Sequence, residues 1–88
     1  MKEARREVRT PYQTDLAFVH YGDRSGKRHF CTTVDISDSG IGIISDSFLR
    51  FGQFVEFTRM HDGGMVANAV VQWSMPLGDR FRVGLFLF

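Results

Sequence analysis

The chain shows no sustained helical period. Apolar and β-branched residues instead recur in short blocks separated by clusters of Gly, Asp, Ser and Pro, the pattern of many short strands in an all-β barrel or sandwich. Residues 14–21 and 28–35 flank the polar, glycine-containing stretch 22–27 and read as a first hairpin. A short block at 40–44 follows, and then 53–61 and 65–74, joined by the turn signal His61-Asp62-Gly63-Gly64. A last block, 81–88, follows a turn expected around Pro76-Leu77-Gly78-Asp79. Six antiparallel strands at this regular spacing predict a closed or nearly closed barrel, which would hide sheet edges that an aromatic-rich chain could not leave exposed.

The 88 residues leave room for one domain, and the nine phenylalanines are expected to supply much of its core by covering large area per residue. The formal net charge of +1 argues against bulk binding of DNA or RNA, which needs a strongly basic footprint. Charge is uneven, however. Residues 1–9 carry Lys2, Arg5, Arg6 and Arg9 against Glu3 and Glu7, a locally basic arm suited to a small anion. The single cysteine, Cys31, can form no intrachain disulfide, and a reducing cytoplasm is the simplest home. No apolar run approaches the ~20 residues of a membrane-spanning helix, so no membrane partner is expected.

Two segments carry chemistry. Arg5-Arg6-Glu7-Val8-Arg9 has R-x-x-x-R spacing, and Asp35-Ile36-Ser37-Asp38-Ser39-Gly40 reads D-x-S-x-x-G between two expected strands. Either alone is ordinary. The arginine spacing recurs at Arg24 and Arg28, and an Asp-Ser-Gly stretch is a common tight turn. In this order, with the arm before the first strand and the turn after the second, they resemble the PilZ domain family. Leu49 to Val55 is similar to that family's L-x-x-G-x-x-V with a one-position shift, Val71-Gln72-Trp73 to its V-x-W strand, and Arg82-Val83-Gly84-Leu85-Phe86 to its closing R-V-G-x-x-F.

The resemblance implies a six-stranded PilZ-like barrel over residues 13–88, with residues 1–12 a flexible arm that folds over the bacterial second messenger cyclic di-GMP. It implies a receptor with no catalytic activity and no cofactor. Arginine is the side chain for guanine O6/N7 edges and phosphates, and Arg5 and Arg9 match that role, with Arg6 a helper. Asp35 would accept from the N1–H and N2–H of a guanine, which selects guanine over adenine, while Ser37 would donate to a ligand oxygen and Gly40 admit close backbone approach. Trp73 is open between stacking on a base and packing against the barrel. A partner protein or fused domain would read the ordered arm, and a homodimer stays open. The C-terminal helix that often completes the family is not expected within these residues, and the apolar run Leu85-Phe86-Leu87-Phe88 is expected either to pair in the barrel or to dock on a partner. Two other binding readings compete: a messenger-independent protein-interaction barrel using that apolar end, and an OB-like or SH3-like barrel for single-stranded nucleic acid, against which the near-neutral charge weighs. His20 and His29, expected to face one another with Cys31 on the same face, fall short of the ligand number zinc requires.

Overall fold

The computed structural model describes residues 8–88, all of whose regular structure is β: β1 (Thr10–Pro11), β2 (Asp15–His20), β3 (His29–Ile36), β4 (Gly40–Ser45), β5 (Phe54–Arg59), β6 (Met65–Leu77) and β7 (Arg80–Leu87). Six strands run antiparallel in the order β3-β2-β5-β6-β7-β4, and β4 returns to β3 to close the barrel. Within the span expected as an arm, Thr10 and Pro11 form the extra strand β1 opposite Ile36 and Asp35. The buried Thr33 hydroxyl bridges the break between β1 and β2, donating to the Tyr12 carbonyl and accepting from the Thr14 amide at 2.9 Å. This anchors the chain between β1 and β2 beside the end of β3.

Alternation along each strand sets the core. Leu16, Phe18, Ile41, Ile43, Val55, Phe57, Val71, Val83 and Leu85 point inward, and Leu49 packs among them from the β4–β5 connection. The core is mainly aliphatic, which corrects the expectation of a phenylalanine core. Only Phe18 and Phe57 are fully buried, their rings 6.2 Å apart, whereas Phe30, Phe48, Phe51, Phe54, Phe86 and Phe88 are exposed. In a barrel of six strands the interior takes few rings, and branched aliphatic side chains fill the remaining layers.

Two further expectations shift. Strand β6 runs on through Pro76 to Leu77, and the turn tightens onto Gly78, whose φ of 63° suits glycine. Pro76 is tolerated because β5 pairs β6 only over residues 65–70, so the stretch beyond has a ladder partner on one side alone. In the first hairpin Phe18, not His20, stands opposite His29. The two imidazoles still meet at a 4.7 Å ring separation, with His20 Nδ1 hydrogen-bonded to the Gln53 amide and His29 Nδ1 to Ser47 Oγ at 3.0 Å. Cys31 lies opposite Leu16 in the core. At the chain's apolar end Leu85 is buried and β7 is paired on both edges, while Phe86 and Phe88 remain exposed.

Candidate functional site

Two β-bulges create the outer face on which the site stands. On β3 the alternation from buried Cys31 and Thr33 would send Asp35 into the core, but the register with β4 slips between Thr33 and Asp35, so that Asp35 comes opposite Gly42. On β6 the same happens after buried Val71: the register with β7 slips and Trp73 comes opposite Gly84. An extra residue in one strand turns the following side chain to the other face. Gly42 and Gly84 are themselves opposite one another across β4 and β7. The result is one continuous outward row, Asp35–Gly42–Gly84–Trp73, crossing four strands.

The two central glycines make the floor of a trough whose walls, three interstrand steps of ~4.8 Å apart, are Asp35 and Trp73. Side chains on either glycine would fill it. A Cβ on Gly42 would lie 2.6 Å from Asp35 Oδ1 and 2.8 Å from Arg82 Nη1, and one on Gly84 would fall on the Trp73 indole. The trough opens into a cavity of about 280 Å³ lined by Arg9, Asp35, Gly40, Gln72, Trp73 and Arg82 among others.

Its electrostatics are those of one carboxylate between two guanidiniums. Arg9 Nη2 donates to Asp35 Oδ1 at 2.7 Å, and Arg9 Nη1 to Ser37 Oγ at 3.3 Å. Arg82 Nη2 stands 3.9 Å from Asp35 Oδ2, and its guanidinium lies 5.6 Å from the Trp73 ring centroid. Arg82 Nη1 is buried without a hydrogen-bond partner among the described residues. The Arg9 hydrogen bond, ahead of the charges of Arg9 and Arg82 and the Gly42 backbone, holds the Asp35 carboxyl below the usual range, against burial acting the other way. Such a site presents planar N–H donors, a carboxylate acceptor and an aromatic face within one shallow groove, a donor and acceptor set for a flat heterocycle with an attached anion.

Of the residues singled out in the sequence, Arg9, Asp35, Ser37 and Gly40 come together here, although their motifs lie at opposite ends of a hairpin. Asp35 sits at the end of β3 and Gly40 opens β4, with the intervening turn held by the Ser37 amide donating to the Gly40 carbonyl at 2.9 Å. Trp73, left open between stacking and packing, is 44% exposed and lines the cavity. Arg5 and Arg6 lie outside the described residues. Sequence reasoning missed Arg82, Gly42, Gly84 and Gln72 as site residues. Glycine in the interior of β7 was the available signal, because a strand gives up a side chain where something must approach its backbone. The histidine pair takes no part in this groove, and among the described residues no group of three or more His, Cys, Asp or Glu could hold a metal ion.

The fold is thus a closed barrel that carries this groove on its outer face. The chain belongs to the PilZ domain family, which matches residues 3–87. Among solved structures it is similar to the K. pneumonia MrkH–c-di-GMP complex, with a TM-score of 0.66 at 14% identity over 99% of this chain. The chain spans 44% of the length of that protein. No curated protein matches the sequence.

Proposed function

We propose that this domain is a non-catalytic receptor for cyclic di-GMP, bound in the groove over Gly42 and Gly84. The observation that carries the reading is that Arg9 of the R-x-x-x-R motif and Asp35 and Gly40 of the D-x-S-x-x-G motif line one cavity, with Ser37 bonded to Arg9 and an exposed tryptophan on the far wall. Membership of the PilZ family and a similar fold that carries this messenger in MrkH support the same ligand. Asp35 accepts from the N1–H and N2–H edge of one guanine, and Trp73 offers a face for stacking. Arg5, Arg6 and Arg9 meet the O6/N7 edge of the other guanine and the two phosphodiesters. In the structure Arg9 bonds to Asp35. Guanine binding takes over that carboxylate and sends Arg9 to the messenger, so the basic arm reorganises with the ligand and presents a changed surface to a partner or attached domain.

Calorimetric titration with cyclic di-GMP, beside GTP and cyclic di-AMP, tests this. Selective binding that is lost in Arg9→Ala and Asp35→Ala is the expected result. No heat and no thermal shift at high messenger concentration would sink the reading. A messenger-independent docking role would then lead, resting on the exposed ring cluster Tyr21, Phe54 and Phe88.

A further inference from the structure

The sequence motifs leave one guanine atom on the Asp35 side without a partner. A carboxylate that accepts from N1–H and N2–H meets two of the three Watson–Crick positions, and O6, next to N1, still needs a donor. Leaving a desolvated carbonyl oxygen unpaired would offset much of what the carboxylate contributes. We infer that Arg82 supplies that donor, so that Asp35 and Arg82 together present acceptor, acceptor and donor in a row, the pattern cytosine offers to guanine. This inference rests on the cyclic di-GMP reading and adds a recognition residue that neither motif contains.

Four observations place Arg82 there. Its guanidinium neighbours the carboxylate without satisfying it, at 3.9 Å from Oδ2, a separation too long for a good hydrogen bond and short enough to serve adjacent atoms of one base. Its Nη1 is buried with no partner, an N–H group whose desolvation nothing in the described protein compensates. Arg82 Nη1 and Asp35 Oδ1 each lie within 3 Å of the point where a Cβ on Gly42 would stand, so donor and acceptor approach one another over Gly42, a closeness that the absence of a side chain there permits. Finally, the guanidinium is fixed rather than free: it lies over the Trp73 indole, and its residue is held in the β7 ladder between Ile44 and Met75. A planar donor held this way loses little freedom on binding.

The arrangement also sets specificity. Adenine carries an amino group where guanine carries O6, so the Arg82 donors would face donors, and the site rejects it by an unpaired, repulsive contact as well as by the loss of attraction.

The test is a two-by-two calorimetric titration of the whole chain: wild type and Arg82→Met, each with cyclic di-GMP and with its analogue bearing 6-thioguanine, in which sulfur replaces the O6 acceptor. Wild type should lose affinity for the sulfur analogue, Arg82→Met should bind cyclic di-GMP about 10- to 100-fold more weakly, and the oxygen-to-sulfur difference should shrink in the variant. Binding of Arg82→Met equal to wild type overturns the inference. So does an undiminished oxygen-to-sulfur difference in the variant, the result expected if Arg82 met a phosphate or only supported the fold. If Arg82→Met does not fold, Arg82→Ala, which likewise removes every donor at this position, is titrated in the same design, and the same two outcomes decide. Failure of wild type to bind cyclic di-GMP at all is a different result: it removes the receptor reading, and this inference with it.

Discussion

Gly42 and Gly84 stand opposite each other across β4 and β7, and the space above each is already claimed by a neighbouring side chain: the Asp35 carboxylate and Arg82 guanidinium above Gly42, the Trp73 indole above Gly84. Neither glycine has a positive φ, so backbone conformation does not demand the residue at either place. What demands it is the close approach of groups from the flanking strands. The groove is therefore a property of four strands acting together, and a single methyl group can close it.

Gly84→Ala should displace the indole, since the added Cβ and the ring cannot share the space. Overpacking of this kind costs about 1–3 kcal/mol. Trp73 is the only tryptophan, so its emission reports on this spot alone. A red-shifted maximum together with a lowered urea midpoint is the expected outcome. Unchanged emission in a variant of unchanged stability would mean that the indole does not rest on Gly84.

How far the sequence discloses this arrangement differs from one residue to the next. Strand blocks bounded by glycine turns are legible because period-two burial and turn chemistry are both local, and the six barrel strands lie where alternation puts them. The direction of Asp35 and Trp73 is not legible. Counted by alternation from Thr33 and Val71, both belong inside, and only the bulges turn them out. A bulge is a matter of pairing between strands and leaves no reliable mark in composition. The first hairpin illustrates the same limit, for a two-residue change of register preserves each face yet exchanges His20 for Phe18 opposite His29. The phenylalanines misled for a further reason: hydrophobicity predicts a core only when the position also faces inward, and Phe54 and Phe86 stand on the outer row opposite Val70. Arg82 was visible only as part of a family-like closing strand, because its role depends on the carboxylate two strands away.

Titration of Asp35 gives the second prediction. Its carboxyl is held below the usual range chiefly by the Arg9 hydrogen bond. A carboxyl with a lowered folded-state value contributes stability above the ordinary range, near 4, and that contribution is lost as pH falls through the folded value. Carboxyl-carbon NMR should place Asp35 below an unstructured aspartate, and Arg9→Ala should move it back upward, with a weaker fall in stability on acidification below about pH 4. Because both partners are partly exposed, the stability effect should be small. An Asp35 titration that ignores the loss of Arg9 would show that the pair does not persist in solution.

Cys31 supplies the third. The thiol is buried opposite Leu16, and burial, reinforced by the charges of Asp46 and Asp15 and opposed by a backbone hydrogen bond at Leu16, pushes it up to about 12. At pH 8 the thiolate fraction is then about a thousandfold smaller than that of an ordinary free cysteine. Reaction with an aromatic disulfide reagent should be slower than in the urea-unfolded chain by at least that order, and should accelerate only as denaturant opens the barrel. The measurement bears on the binding face as well as on the thiol. Cys31 and Thr33 fix the inward parity of β3, and the outward turn of Asp35 is counted from them across a single slip of register. A Cys31 that labels at the free-thiol rate in the folded protein would place that parity the other way, and would turn the Asp35 carboxylate away from the groove that Arg9 and Arg82 share.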